Sequence, residues 1–192
     1  MLMKRISLSI ALAACLAVLP AFAAQEIKGV KFPDTFQLNG QTLQLNGAGV
    51  RVKFFVDVYV AGLYLPREEQ APSAVLTLPG AKSVQIVMLR NVSGNDFSEA
   101  TEKGFKSNNS DAEVTKHQSK LNEVLALMRT LGEVPKGTAI HIDFLPTGVK
   151  ISINGQLKGD ISASEDFGQS LLKNWLGNKP VDGDLKKSLL GS

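Results

Sequence analysis

Cysteine is nearly absent. The 192 residues hold a single one, Cys15, inside an N-terminal stretch with the marks of a secretory signal. Lys4 and Arg5 form its charged start, Ile6 to Leu19 its apolar run, and Ala21-Phe22-Ala23 a small-residue cleavage box. Cleavage after Ala23 divides the chain into a 1–23 signal peptide and a 24–192 domain without a thiol. Disulfides and cysteine chemistry are then excluded, and packing alone must hold the fold in an oxidising compartment. The apolar run is shorter than the ~20 residues that span a bilayer, so no integral membrane segment is expected after cleavage. Leu12-Ala13-Ala14-Cys15 also fits a lipoprotein box, with Cys15 lipidated, but would leave an apolar leader where such chains carry a polar tether. The expected location is secreted, in the periplasm.

Histidine is equally scarce. His117 and His141 are the only two, far apart and without a neighbouring carboxylate pair, so neither a metal site nor a cofactor is expected. His117 is expected on the solvent side of a long helix and His141 mid-strand as a structural residue. No Gly-x-Ser-x-Gly elbow and no Gly-rich phosphate loop occurs, which leaves hydrolase and nucleotide chemistry without an anchor. Excess charge is missing too. Removing Lys4 and Arg5 from the 21 cations leaves 19 against 18 acids, a net charge of one, with lysines scattered among acids. That balance provides neither a nucleic-acid footprint nor a polybasic membrane patch.

What the sequence does hold is one long stretch of strand character, Leu45 to Pro66, rich in Val, Phe, Tyr and Leu. One parity runs Val52, Phe54, Val56, Val58, Val60, Gly62, Tyr64 and is the cleaner core face. The other runs Arg51, Lys53, Phe55, Asp57, Tyr59, Ala61, Leu63, as a strand does when it lines a cavity with a polar end. A guanidinium in such a strand must be paired or solvated. Arg51 therefore either holds a ligand's anion or bridges an acid such as Asp57 or Asp143. On a straight strand at ~3.3 Å per residue, Tyr59 would lie about 26 Å from Arg51. The length of the stretch suits either a bent long strand or a tight hairpin near Lys53 to Val56, and the two residues meet only if the chain folds back between them.

Around this stretch the chain alternates between strand and helix blocks. Gly29 to Asp34 is read as an entry segment, and Thr35–Leu38 and Thr42–Leu45 flank the turn pair Asn39-Gly40. Ala71–Leu78 is a short helix or link and Ser83–Leu89 a buried strand. Capping patterns at Ser93 and Ser110 open helices to about Ser107 and Leu131. Thr138–Leu145, Val149–Ile153 and Gln156–Ile161 form a meander with turns at Thr147-Gly148 and Asn154-Gly155. A helix begins after Ser162-Ala163-Ser164, and a last short one follows Pro180 with Asp182 as its cap. Without a βαβα rhythm the fold class is α+β, a mostly antiparallel β-sheet with helices packed on one face.

The pattern Gly47-x-Gly49-x-Arg51, then Val58-Tyr59-x-x-Gly62-Leu63-Tyr64-Leu65, resembles the chalcone isomerase-like superfamily, in its bacterial secreted branch. The ending Leu171 to Gly191, LLKNWLGNKPVDGDLKKSLLG, is similar to that family's closing helices, so the likeness spans about Phe32 to Ser192. It implies an open-faced sandwich. In the plant chalcone isomerases the arginine matched by Arg51 polarises the substrate, and a threonine that helps bind a catalytic water is matched by Tyr59. A helical Tyr and Asn seven residues apart fall here on Phe97 and Gly104, neither of which can donate a side-chain hydrogen bond. The last site position, Thr or Ser in active enzymes, is Asn174. In the family's non-catalytic plant branch the arginine and a strand tyrosine hold a fatty-acid carboxylate, an arrangement that Arg51 with Tyr59 resembles.

The reading favoured is a binding protein for a small amphipathic anion such as a fatty acid, with ligand contacts at Arg51, Tyr59, Phe97, Gly104 and Asn174. An apolar pocket walled by Phe55, Phe97, Phe105 and the later helices is expected. The competing enzyme reading is an intramolecular lyase that stabilises an enolate or phenolate through Arg51, with Tyr59 as acid–base partner. The third is a structural or partner-binding envelope protein.

Overall fold

The computed structural model describes residues 24–192; the signal-peptide and Cys15 readings lie outside the described residues. Strands β1 (Ala24–Ile27) and β2 (Val30–Pro33) form a separate hairpin, not a loose entry segment. The main sheet begins with β3 (Thr35–Leu38), β4 (Gln41–Lys53) and β5 (Val56–Leu65), followed by helix α1 (Pro72–Thr77) and strand β6 (Lys82–Met88). A two-residue strand, β7 (Val92–Ser93), leads into α2 (Gly94–Asn108) and α3 (Asp111–Thr130), and pairs with β8 (Glu133–Val134). The chain then makes β9 (Ala139–Leu145), β10 (Gly148–Ile153), β11 (Gln156–Ser162), α4 (Glu165–Leu176) and α5 (Gly183–Leu189).

Seven strands lie in the order β11-β10-β9-β6-β5-β4-β3, each antiparallel to its neighbours. The α+β sheet with helices on one face is therefore the architecture. Local chemistry explains the edges of its elements. Asn39-Gly40 and Asn154-Gly155 take the paired positive φ angles that two-residue hairpins demand. Ser93 accepts from the Asp96 amide, and Ser110 and Glu113 exchange the reciprocal bonds of a capping box.

The two faces of β5 bury different things. Tyr59, Ala61, Leu63 and Leu65 enter the main core under the helices, with Ile86, Ile142, Leu121 and Phe167. Val60 and Tyr64 enter a smaller cluster with Phe32, Leu43 and Leu145, and the Tyr64 hydroxyl donates to the Pro33 carbonyl at 2.9 Å. The face expected to be the principal core is thus the lesser one, because the β1–β2 hairpin covers it. The other parity is core for most of its length and carries Arg51 only at one end.

His117 departs from expectation as well. It is 4% exposed, against the Phe167 ring with centroids 5.6 Å apart, and its Nε2 lies 3.7 Å from Asp166. Positions 114, 117 and 121 share one helical stripe, so α4 buries the histidine together with its apolar neighbours. His141 stands edge-on to Phe36 at 5.6 Å.

Candidate functional site

The Gly47-x-Gly49-x-Arg51 signature has a steric origin. A Cβ at Gly47 would lie 2.1 Å from the Ser188 carbonyl oxygen, and one at Gly49 would lie 2.5 Å from the Ser188 Cβ. Bare backbone at these positions lets α5 lie flat on β4. At seven residues α5 is too short to hold itself; buried Leu185 and Leu189, at about 1.5–3 kcal/mol each, fix it there. Asp182 caps α5 with one carboxylate oxygen and with the other accepts the Val52 amide at 2.8 Å. The register slips between Arg51 and Val52 at that point.

The chain folds back at Phe54-Phe55, which makes Arg51 and Tyr59 registered partners of β4 and β5. The Arg51 guanidinium carbon stands 5.4 Å from the Tyr59 ring centroid. Neither acid considered as its partner holds it. Asp57 pairs with Lys28 at 2.9 Å, and Asp143 accepts from the Ser83 hydroxyl at 2.6 Å. No ion pair among the described residues includes Arg51, and its Nε is buried without a hydrogen-bond partner.

Tyr59 is 2% exposed and its hydroxyl accepts from Trp175 Nε1 at 3.0 Å. Burial raises its pKa, with Arg51 and the Trp175 bond partly opposing. The phenol is therefore neutral at pH 7 and keeps a proton to donate. Asn174, also 2% exposed, has both amide atoms unpartnered. Room for it exists because residue 104 is glycine: a Cβ there would lie 2.3 Å from Asn174 Oδ1.

A cavity of about 20 Å³ is lined by Arg51, Tyr59, Phe97, Thr101, Asn174 and Trp175, with Ala100 and Val181 completing it. Four of the expected site residues meet there, and Gly104 abuts it through Asn174. Phe97, Thr101 and Gly104 fall on one face of α2, a spacing already visible in the sequence. Val181 was missed: its loop is pinned by Asn108, which exchanges bonds of 2.7 Å with Lys179 beside Gly177, where a Cβ would strike the Asn108 oxygen at 2.3 Å.

Two larger grooves open from Arg51. One, about 360 Å³, runs past Val58 and Phe97 to Arg90 and Phe54; the other, about 400 Å³, runs past Gly104 to Lys103 and Lys179. Two of the expected pocket walls are elsewhere. Phe55 is wholly exposed at the hairpin tip, and Phe105 is core, 6.2 Å from Phe167. The enclosed apolar space is filled by such packing, so the room beside Arg51 lies in open grooves, not in a deep apolar pocket. Among the described residues no cluster of three metal-ligating side chains occurs, and no helix is long and apolar enough to cross a membrane.

The sequence model described as "Chalcone isomerase-like" matches residues 24–191, nearly the whole described chain. The chain belongs to the chalcone isomerase-like family. Among solved structures, a fatty-acid binding protein of Arabidopsis thaliana is similar, with a TM-score of 0.67 at 16% identity over 88% of this chain and 96% of that one. At that identity the likeness establishes the shared fold alone. No curated protein matches the chain by sequence. In this chain Arg51 stands on β4, with Phe97 and Gly104 on the helix above it.

Proposed function

We propose that this chalcone isomerase-like protein is a non-catalytic, periplasmic binder of small amphipathic carboxylates, fatty acids foremost. One observation carries the reading: a guanidinium free of acids, a neutral buried phenol and an unpartnered buried amide line the same small cavity. Arg51 supplies charge and a donor, Tyr59 Oη its spare proton, and Asn174 a further N–H. A cavity of about 20 Å³ has room for a single water-sized group, which suits one carboxylate oxygen. The acyl chain would lie along a groove leading from Arg51.

The solved fatty-acid binding relative supports the ligand class through fold alone. The position of Phe97 and Gly104 supports the absence of isomerase chemistry, since neither offers the side-chain donor expected for polarising a ketone. The test is calorimetric titration of residues 24–192 with laurate and with its methyl ester. Binding of the acid but not of the ester is the expected result; equal binding of both, or of neither, would overturn the reading.

A further inference from the structure

The hairpin that brings Arg51 to Tyr59 ends in an unusual turn. Lys53 and Val56 pair, leaving Phe54 and Phe55 as the two loop residues, with φ of 50° and 65°. Elsewhere the two-residue turns Lys28-Gly29, Asn39-Gly40 and Asn154-Gly155 place glycine second, which tolerates left-handed backbone far better than an aromatic residue does. The tip is also bare. Phe54 is 85% and Phe55 102% exposed, with Val52 and Val56 half-open beside them. Of the large hydrophobic residues left exposed among the described residues, Leu157 alone lies elsewhere.

Charge surrounds this tip. Lys53 Nζ sits 5.7 Å from the Phe54 ring centroid, and Arg90 lines the groove that connects Phe54 and Val56 to Arg51. Of the nearby acids, Asp57 is neutralised by Lys28, which leaves Asp96 in that groove. Two aromatic rings at the end of a narrow hairpin offer far less area than the ~1,200 Å² or more that a stable protein interface buries. An apolar point with cations set back from it fits a surface with an oily interior and an anionic rim.

We propose that the β4–β5 tip docks the protein on anionic lipid bilayers, inserting Phe54 and Phe55 below the headgroups while Lys53 and Arg90 contact lipid phosphates. This rests on the fatty-acid reading and adds its source: the groove beside the tip opens where an acyl carboxylate would leave the membrane for Arg51. The aromatic turn is then retained for docking at the expense of local backbone strain.

The experiment compares residues 24–192 with two variants. Phe55→Gly removes the ring that takes no part in the groove, at a position whose φ of 65° suits glycine, and Arg51→Met empties the anion site. Each is cosedimented with vesicles of phosphatidylglycerol and phosphatidylethanolamine in equal parts, with phosphatidylcholine vesicles as control, and titrated with soluble decanoate. The parent should bind the anionic vesicles, and the tip variant should lose at least about tenfold in vesicle affinity while keeping its decanoate affinity and melting no lower. Arg51→Met should keep vesicle binding and lose decanoate, so failure of the anion site and failure of the docking surface are separately visible. Equal vesicle binding by parent and tip variant, or none by the parent, would overturn the proposal. So would a parent that dimerises in sedimentation velocity through this tip without binding vesicles.

Discussion

Arg51 and Tyr59 are opposite one another on adjacent strands, guanidinium over phenol at 5.4 Å, although seven residues and a turn separate them along the chain. The phenol is held by Trp175 from α4 and the arginine by backbone that Asp182 secures. Two polar groups are thus fixed in place by elements on different sides of the cavity. For the proposed anion, a pair fixed in this way would leave less ordering to be done on binding.

Replacing Arg51 should affect binding and not folding. Asp57 and Asp143 have other partners, so Arg51→Met leaves no acid orphaned and should shift the melting temperature little. Affinity for an anionic lipid should fall by about 2–5 kcal/mol, as when one member of a buried charged pair is removed. A thermal melt and a calorimetric titration of the one variant decide it; a melted protein with intact affinity sinks the binding role.

Gly104→Ala should act at a distance from the ligand. The new Cβ collides with Asn174 Oδ1 at 2.3 Å, so the amide must swing from its place in the cavity wall. A stability loss of about 1–3 kcal/mol is expected from the overpacking. Affinity should drop about tenfold as the Asn174 donor is misplaced. Asn174→Ala in the same background should restore the stability and not the affinity.

Trp175 is the chain's one tryptophan, and its indole N–H is spent on Tyr59. Its fluorescence should therefore report site occupancy, with emission changing as fatty acid is added and the change weakened in Tyr59→Phe. Saturating binding without any emission change would place the ligand elsewhere. Trp175→Phe should destabilise the protein by about 1 kcal/mol or more, since a hydrogen bond is lost along with packing.

Incubation with chalcones should give no accelerated ring closure. Losing one preorganised donor commonly costs about 100-fold or more in rate, and Phe97 and Gly104 remove two. Product analysis over the spontaneous background checks this; turnover abolished by Arg51→Ala would promote the isomerase reading.

Stability should decline as pH falls below neutrality, through buried His117 and half-buried His141. Burial lowers the pKa of His117, with Asp166 only partly opposing, and burial likewise lowers that of His141. The unfolded chain then binds protons more readily than the folded one, so stability is complete above about 6.5 and drains away below it. His117→Leu should flatten that slope between about pH 7 and pH 5 in urea melts. At lower pH a second loss follows: the backbone and side chain of Ser110, then Lys173, hold Glu113 down to about 2, so its contribution fades from about 4.5 towards that value.

Turn and capping chemistry made most of the fold legible in the sequence. Asn-Gly pairs marked two hairpins, and Ser93, Ser110 and Asp182 marked three helix starts, because each acts through its immediate neighbours. The Phe54-Phe55 turn was legible only as one of two alternatives, a hairpin near Lys53 to Val56 or a bent long strand, since nothing in local propensity asks two aromatics to adopt left-handed backbone. The β1–β2 hairpin was missed because its short strands bury little of their own, so which face of β5 dominates could not be read from alternation alone. Arg51, Tyr59, Phe97 and Asn174 were legible as a group only through the family pattern. Val181 depends on a loop held by Asn108 and Gly177, a long-range fit that leaves no periodic trace.

The flat seat of α5 on Gly47 and Gly49 also sets an order of events during synthesis. The Arg51 strand and β5 precede α5 by more than a hundred residues, and the surface they offer to Leu185 and Leu189 stays wet until α5 has been made. Nascent chains halted before Gly183 should form the hairpin and lack its lid, and Arg51 would meet solvent from below. Competence for the proposed ligand would therefore come only once α5 has docked, and a chain without it should be open to proteolysis at β4.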